Sequence, residues 1–263
     1  MDLKLKGKVA LISASSRGIG KAVAKELAME GCKVIICART KDSLNATKRE
    51  IEEETNSEVV AVTANITKYT DIKKVVDEGL AAFGKIDILV NNSGGPPPGF
   101  FLELDDNTWY NAIDLLLMST VRFTRLVLPG MQERKWGRII NLTSFAVKQP
   151  VDNLILSNSI RLAIIGFAKT LSYQVGKDNI TVNNITQGLT LTERVKQLAQ
   201  NIAANKNIEV EKVFENWKQE IPVRRLAEPE EIAAVVAFLA SERASFINGA
   251  TIQVDGGQIK FVM

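Results

Sequence analysis

The stretch with the clearest chemical signal is SASSRGIG, Ser13 to Gly20, which directly follows the short apolar run Val9–Ile12. Gly18 and Gly20 carry no side chain, so the backbone there can approach a bound group closely. A helix beginning at this point would direct free N–H groups and the positive end of its dipole at that group, which favours an anion. A strand, a glycine turn, a helix and a second strand in this order indicate a site for the pyrophosphate of a dinucleotide.

The end of the second predicted strand indicates which dinucleotide binds. Sites selective for NAD place a carboxylate about 20 residues beyond the glycine turn to hold the ribose 2′-hydroxyl, whereas an arginine suits a 2′-phosphate. Here the chain reads Cys37-Ala38-Arg39-Thr40, and the first acid beyond it is Asp42. Arg17 adds a second guanidinium, whose geometry matches phosphate. The sequence therefore predicts NADP(H) over NAD(H), and the alternative for each arginine is a solvated surface residue.

The histidine and cysteine content excludes several other kinds of site. The chain has no histidine, which removes His-based catalytic triads and His-ligated metal sites within one chain. The two cysteines, Cys32 and Cys37, lie five residues apart on one predicted strand and its approach, so their side chains point to opposite faces. The pair matches no metal spacing. We expect buried free thiols, no disulfide and no metal site.

The charge balance and hydropathy exclude some classes of partner. The formal net charge is +3, from 33 basic and 30 acidic residues spread along the chain, which is too weak a bias for nucleic acid or an anionic membrane. The first apolar run is too short for a secretory signal. Apolar stretches such as Leu162–Ala168 fall far short of a membrane span. We expect a cytoplasmic protein with neither nucleic acid nor a membrane as its partner.

A parallel sheet would position the glycine turn and the strand ends together. Near-continuous apolar strands alternate with amphipathic helices, which indicates a parallel sheet covered on both faces. We predict an α/β fold with a doubly wound, seven-stranded parallel sheet in a single domain over 1–263. The predicted strands are Val9–Ile12, Val34–Cys37, Val59–Val62, Ile86–Val90, Arg138–Leu142, Ile180–Asn184 and Thr251–Val254, and the predicted helices include Ile19–Glu30, Lys41–Glu54, Thr70–Phe83, Thr108–Arg134, Leu154–Gln174 and Glu228–Ala240.

Two longer connections follow carboxyl ends of predicted strands, where ligands bind in such sheets. Ser93–Gly99 contains three consecutive prolines and is expected to be stiff and extended. Gly188–Glu220 is long and helix-rich, and we assign 189–226 as a helical segment on the substrate side. The alternatives are a rigid loop and a peripheral helix pair.

The motifs along the whole chain resemble those of the short-chain dehydrogenase/reductase family, and of its 3-oxoacyl-acyl-carrier-protein reductases in particular. The glycine turn resembles the family's T-G-x-x-x-G-x-G loop, with Ser13 and Ala14 at its first two positions. The other matching stretches, in order, are Asn91-Asn92-Ser93-Gly94, then Val182-Asn183 with Gly188 and Thr192 (Gln187 replacing the usual proline), then Ile221-Pro222 through Arg225-Leu226, Glu228-Pro229-Glu230-Glu231 and Val254-Asp255-Gly256-Gly257.

This resemblance implies a Rossmann-type fold and a set of cofactor contacts. Two positions depart from the family: Ala14 replaces a glycine and is tolerable only where the backbone needs no left-handed conformation, and Asn65 stands where an adenine-contacting Asp is usual. The implied cofactor residues are Ser13, Ser15, Ser16, Arg17, Gly18, Ile19, Gly20, Arg39, Asn65, Ile66, Asn92, Ser93, Gly94, Arg161, Gly188 and Thr192.

The resemblance also locates the catalytic positions, and there most of the pattern is absent. The family uses a Ser, a Tyr that donates a proton to the carbonyl oxygen, a Lys that lowers the Tyr pKa and holds the nicotinamide ribose, and an Asn that supports a water relay. Ser144 is retained, but the family spacing places Ser157 at the Tyr, Arg161 at the Lys and Leu116 at the Asn. A serine hydroxyl is a far weaker acid than a phenol, and Arg161 stays charged.

Another residue would therefore have to donate the proton that the family's Tyr donates. Lys148, four residues after Ser144, is the nearest titratable candidate in the sequence, and its alternative is a solvated loop lysine. Arg161 is also a candidate, as a fixed cation that polarises a carbonyl.

Two functions remain open from the sequence. The first is an NADP(H)-dependent oxidoreductase with an atypical site that transfers hydride between the nicotinamide and a carbonyl or alcohol, the substrate being a small carbonyl compound or an acyl thioester. The second is a catalytically impaired dinucleotide-binding sensor or partner subunit. The sequence argues against a hydrolase built on Ser144 because there is no His and no G-x-S-x-G elbow.

The resemblance further implies a homo-oligomer, a tetramer, in which the helix at Leu154–Gln174 and the long helix around Met118–Arg134 pack across a two-fold interface. The apolar stripe of the first of these helices is Ile160, Ile164, Phe167, Ala168 and Leu171. The alternative is that this stripe faces the sheet of its own chain.

Overall fold

The alternation of strands and helices closes into one parallel sheet. The computed structural model describes residues 2–261, and within them seven strands pair in the order β3-β2-β1-β4-β5-β6-β7, each parallel to its neighbours. The predicted fold class is confirmed. The strands are β1 (Val9–Ile12), β2 (Lys33–Ala38), β3 (Val59–Thr63), β4 (Ile88–Asn91), β5 (Gly137–Leu142), β6 (Ile180–Gln187) and β7 (Thr251–Val254).

The helices lie close to their predicted positions. They are α1 (Gly18–Met29), α2 (Lys41–Thr55), α3 (Tyr69–Phe83), α4 (Asp106–Ile113), α5 (Ser119–Glu133), α6 (Ile155–Val175), α7 (Glu193–Lys206), α8 (Val210–Glu220) and α9 (Pro229–Ala240). None of the helices between residues 2 and 261 is both long and apolar enough to cross a bilayer.

The uniform helix predicted over Thr108–Arg134 is wrong in its middle. The structure divides it into α4 and α5, joined by a π-helical turn over Asp114–Met118. Two hydroxyls after the turn bond to carbonyls within it, Ser119 Oγ to Leu115 O (2.6 Å) and Thr120 Oγ1 to Leu116 O (2.9 Å). Apolar periodicity does not reveal a single extra residue in a turn, and such turns often mark functional sites.

The two faces of the sheet carry separate apolar cores. One core contains side chains from α1, α2 and α9, and the other contains side chains from α3, α5 and α6. Cys32 belongs to the first core and Cys37 to the second, as their spacing predicts, and both thiols are free. Burial raises the pKa of each thiol to about 12, so both are chemically inert near neutral pH.

The apolar stripe of α6 packs within its own chain. Ile160, Ile164, Ala168 and Leu171 are buried, and Phe167 packs against the second core. The stripe therefore takes the alternative role considered from the sequence, and the prediction that it faces another subunit is wrong. The outward face of α6 is a different one and includes the exposed Leu162 and Tyr173.

Helices α7 and α8 form a unit with their own small core. Ala199 and Ala203 of α7 are buried against Val213 of α8. Phe214 and Trp217 complete the cluster with an edge-to-face contact, their ring centroids 5.5 Å apart. The predicted helix-rich segment thus packs as a helix pair.

Three asparagines form a ladder across the buried centre of the sheet. Asn91 pairs in register with Asn141, and Asn141 with Asn184. Asn91 Nδ2 donates to Asn141 Oδ1 and Asn141 Nδ2 donates to Asn184 Oδ1, each at 2.9 Å. All three residues are buried, so these bonds pair amide groups that have no access to water, while Asn91 Oδ1 has no donor among the described residues. The ladder holds the end of β5, three residues before Ser144, between its two neighbours.

We predict that Asn141→Ala lowers the free energy of unfolding by about 2–4 kcal/mol. The change removes the 2.9 Å acceptor of Asn91 Nδ2, which keeps only its 3.4 Å contact with Thr124 Oγ1, and it leaves the buried Oδ1 of Asn184 without its donor. Chemical denaturation measures this change. Asn201→Ala, on the exposed side of α7, is the matched control and should change the value by less than about 0.5 kcal/mol. Equal stability of the two variants would contradict the role given to the ladder.

Candidate active site

Helix α1 presents an open N-terminus to the crevice at the strand ends. Arg17 occupies its N-cap position in an extended conformation, and no side chain caps the helix. The first N–H groups are therefore available to an anion. A Cβ placed on Gly20 would lie 2.5 Å from Ala14 O and 2.6 Å from Asn92 Nδ2. Only glycine lets the helix start this close to the strand ends, as the sequence predicted for this turn.

Ala14 adopts the conformation that the sequence analysis considered intolerable for alanine. Its φ is +49°, in the left-handed region, so the expectation that this position avoids that region is wrong. The carbonyl of Ala14 accepts a 3.0 Å hydrogen bond from Asn92 Nδ2. This bond helps to hold a conformation that costs an alanine about 1 kcal/mol or more.

The hydroxyls of Ser13 and Ser15 fasten the loop. Ser13 Oγ donates to Asn92 O (2.7 Å) and accepts from Asn92 N (2.9 Å). Ser15 Oγ donates to Ile12 O (2.7 Å) and accepts from Cys37 N (3.1 Å). Both were predicted as cofactor contacts. The structure uses the single O–H of each to join β1 to the ends of β4 and β2, so these side chains position the loop.

Two exposed arginines carry positive charge at the start of α1 and directly after β2. Arg17 and Arg39 are exposed, and neither makes an ion pair within the part of the chain that is described. Thr40 at the N-cap of α2 makes no side-chain cap, so this helix also leaves N–H groups free beside Arg39. The arrangement can hold a dianionic phosphate.

Asn65 keeps one side of its amide available. Its Oδ1 accepts from Thr67 N (3.1 Å) and Thr67 Oγ1 (3.0 Å), which closes a tight turn after β3. Its Nδ2 has no acceptor among residues 2–261. The free Nδ2 donor of Asn65 is consistent with the predicted contact to adenine. Ile66, the next residue, is buried.

The retained serine lies at the end of β5. Ser144 caps a single 3₁₀ turn, Phe145–Val147, and its Oγ accepts from Ala146 N at 3.1 Å. Because the oxygen acts as the acceptor, its O–H is free to donate to a ligand.

Ser157 and Arg161 lie on one face of α6, as their spacing predicts. Arg161 Nε donates to Ser157 Oγ, and Arg161 Nη1 donates to Leu142 O at the end of β5, each at 3.2 Å. The guanidinium thus joins α6 to the strand that carries Ser144. Burial lowers the pKa of Arg161 to about 10, so the group remains charged at neutral pH.

The position expected to hold a relay asparagine is apolar. Leu116 lies in the π-helical turn, is 1% exposed, and packs with Leu156 and Ile160 of α6. The backbone makes the π-helical turn, but the side chain of Leu116 can neither donate nor accept a proton. Beneath Ser157, α6 therefore rests on hydrocarbon.

Lys148 does not reach the serines. It ends the 3₁₀ turn in a half-buried position, and its ammonium makes no hydrogen bond or ion pair with any residue between 2 and 261. The role of Lys148 as an acid therefore stays a prediction.

Gln187 is a polar residue at this edge that sequence reasoning did not select. Its Nε2 donates to Thr143 O at 2.9 Å, while its buried Oε1 has no donor among the described residues. The replacement of the usual proline before Gly188 was the signal available in the sequence. An acceptor without a partner beside Ser144 suits an N–H or O–H group of a ligand.

The two long connections meet over the crevice. Arg194 of α7 donates to Pro96 O at 3.3 Å, which links the helix pair to the proline run. Thr192, before α7, lies against the glycine turn, since a Cβ on Gly18 would be 3.3 Å from Thr192 Cγ2. Both connections thus border the space between the glycine turn and Ser144.

Comparison with known proteins agrees with this geometry. The family described as Enoyl-(Acyl carrier protein) reductase matches residues 13–258. A 3-oxoacyl-[acyl-carrier-protein] reductase of Aquifex aeolicus is 33% identical over 98% of this chain and 99% of its own. Dehydrogenase/reductase SDR family member 4 of Oryctolagus cuniculus is 33% identical over 96% and 94%. The chain belongs to the short-chain dehydrogenase/reductase family.

A solved structure of this family extends the agreement to the whole fold. L-sorbose reductase from Gluconobacter frateurii, complexed with NADPH and L-sorbose, is 36% identical and superposes over 100% of both chains with a TM-score of 0.96. As a member of the short-chain dehydrogenase/reductase family, the protein is an oxidoreductase.

We predict that Ser157→Ala changes turnover by less than about tenfold. A serine hydroxyl is several pKa units weaker than a phenol, each unit being worth about 1.36 kcal/mol, so Ser157 is not the proton donor.

Ser144→Ala and Arg161→Ala should reduce turnover more than Ser157→Ala, because they remove carbonyl and cofactor positioning. If Lys148 is the acid, Lys148→Met should abolish turnover and leave NADPH affinity intact.

Steady-state kinetics paired with NADPH titration measures these effects. A collapse of turnover in Ser157→Ala with unchanged cofactor affinity would show that the roles are wrongly assigned.

Proposed function

We propose that the protein is an NADP(H)-dependent oxidoreductase that interconverts a carbonyl and an alcohol. The observation that carries the cofactor choice is a pair of exposed guanidinium groups without ion pairs among the described residues, Arg17 at the N-cap of α1 and Arg39 directly after β2. The uncapped start of α1 fits a pyrophosphate, and the uncapped start of α2 beside Arg39 fits a 2′-phosphate. The NADPH in the related L-sorbose reductase complex supports the same choice.

The protein groups then have separate tasks in the reaction. NADPH, when bound, supplies the hydride, so one carbonyl and one proton from solvent give one alcohol and NADP⁺. The free O–H of Ser144 donates to the carbonyl oxygen. Ser157 Oγ accepts from Arg161, so its O–H is also free to donate. The fixed charge of Arg161 lowers the energy of the negative oxygen that forms as hydride adds.

The substrate is proposed to be a small carbonyl compound or an acyl thioester. The thioester is supported by the relative in Aquifex aeolicus, which is a 3-oxoacyl-[acyl-carrier-protein] reductase. We place the reaction in the cytoplasm.

A second function, a dinucleotide-binding sensor or partner subunit with little turnover, is favoured by one observation. At the catalytic positions Ser157, Arg161 and Leu116 provide no acid that titrates near neutral pH. A paired experiment separates the two functions: NADPH binding is titrated, and NADPH oxidation is then screened over ketones, aldehydes and 3-oxoacyl thioesters. Tight binding without oxidation of any substrate would favour the second function.

We predict that the protein binds NADPH more tightly than NADH and that Arg39→Asp inverts this preference. Loss of a charge-assisted contact of about 1.5–3 kcal/mol should weaken NADPH binding about 10- to 100-fold, while the new carboxylate can hold the 2′-hydroxyl of NADH. Isothermal titration calorimetry measures both affinities. Arg49→Asp, which makes the same charge change on the exposed side of α2, is the control. Unchanged preference in Arg39→Asp would identify Arg39 as a surface residue.

We also propose a homo-oligomer, a tetramer, assembled through the outward face of α6 and not through the buried stripe. Leu162 and Tyr173 on this face are 54% and 79% exposed, and Phe246 near the carboxyl end of α9 is fully exposed. We predict that Leu162→Glu lowers the mass measured by light scattering, because it adds a charge to an apolar contact, while Asn201→Glu does not. A wild-type monomer at micromolar concentration would contradict the assembly.

A further inference from the structure

Arg161 is a buried cation for which the described residues provide no counter-ion. Its side chain belongs to a residue that is 7% exposed, and no carboxylate lies within 4 Å of it in residues 2–261. Arg138, the other buried arginine among the described residues, differs in this respect. Its Nη2 is 3.6 Å from a carboxylate oxygen of Glu242, and its guanidinium lies 4.5 Å from the ring centroid of Trp136.

The neutral contacts of Arg161 leave much of the guanidinium unused. Of its five N–H groups, one on Nε bonds to Ser157 and one on Nη1 bonds to Leu142 O. The other three have no acceptor among the described residues. A buried charge of this kind is costly unless an ion of opposite sign pairs with it. Neutral hydroxyls of a ribose or a sugar could accept hydrogen bonds but would leave the charge uncompensated.

The surroundings show where a counter-ion must come from. On the α6 side, Leu156 and Ile160 pack with Leu116 to form an apolar floor. The Nη1 contact with Leu142 O places the guanidinium at the carboxyl end of β5, two residues before Ser144. Ligands of doubly wound sheets bind at this edge. Ser144 and the Leu142 carbonyl that Arg161 contacts thus lie at the end of the same strand, two residues apart.

We propose that Arg161 binds a carboxylate of the substrate, so that the protein reduces oxo acids to hydroxy acids. The planar fork of a guanidinium matches the two oxygens of a carboxylate, which a lysine at this position could engage only as a point charge. The keto group of such a substrate then faces the free O–H groups of Ser144 and Ser157. This inference rests on the proposed function and assigns the class of substrate within it.

Matched acids and esters test the assignment. Wild-type protein, Arg161→Lys and Arg161→Gln are compared in NADPH oxidation with pyruvate against methyl pyruvate and with acetoacetate against methyl acetoacetate. The wild type should prefer each acid over its ester by about 10- to 100-fold in kcat/KM, the range expected for a charge-assisted pair. Arg161→Gln should abolish this preference, Arg161→Lys should retain part of it, and the remote Arg49→Gln should retain all of it.

Binding gives a readout that does not need turnover. Calorimetry with the NADP⁺-loaded protein compares oxamate with ethyl oxamate, and thermal unfolding with NADPH titration verifies that each variant is folded and binds cofactor. Oxamate should bind at least about tenfold more tightly than its ester to the wild type and equally weakly to Arg161→Gln.

The outcomes separate this inference from the proposed function. Equal rates for acids and esters in the wild type would overturn the carboxylate assignment and leave carbonyl reduction standing. A loss of NADPH affinity in Arg161→Gln with an unchanged acid-to-ester ratio would overturn it in favour of a ribose contact. Absence of NADPH binding in the wild type would overturn the proposed function, and the assignment with it.

Discussion

The cofactor crevice depends on how the loop after β1 is fastened to the end of β4. Ser13 exchanges two hydrogen bonds with the backbone of Asn92, and the Asn92 side chain bonds to the carbonyl of Ala14. Gly20 then packs directly on that carbonyl and that amide, so the start of α1 is aimed by the same contacts. The loop, the strand end and the helix N-terminus form one hydrogen-bonded unit, and a bound anion is held by the geometry of all three.

The sequence predicts the sheet well because its signals are local. Buried parallel strands are short apolar runs, and those runs alternate with helices in the order that the structure has. The sequence predicts less well the features that depend on contacts between residues distant in the chain. The π-helical turn adds only one residue to a helical turn. The left-handed Ala14 is held by Asn92, which follows another strand. An apolar stripe on α6 predicts burial but not the surface that buries it.

The same distinction applies to the site. Motif spacing identified the positions around the glycine turn and the two members of the Ser157–Arg161 pair, since spacing fixes which residues share a face. It did not identify the partners of each side chain. The cofactor contacts of Ser13 and Ser15 stay predictions, and the bonds by which their hydroxyls join strands were not predicted. Gln187 stood out in the sequence only as a departure from a motif. Hydrogen-bond partners distant in sequence decide these roles.

The departures at the catalytic positions are consistent with one another. A proton relay needs groups that exchange protons, and Leu116 and Arg161 cannot do so near neutral pH. What remains is a fixed positive charge on an apolar floor with two hydroxyl donors. Such a site acts on charge as it develops on oxygen, since a buried cation interacts more strongly than one in water.

The small core of the α7–α8 pair has a consequence for how the crevice opens. Ala199, Ala203 and Val213 are buried within the pair, while its polar link to the proline run is one hydrogen bond from Arg194. An outward movement of the pair as a rigid body would break that link and the contact of Thr192 with Gly18, while the side chains of both sheet cores would stay packed. Entry and release of ligands would then draw on a local equilibrium that is separate from the global stability of the domain.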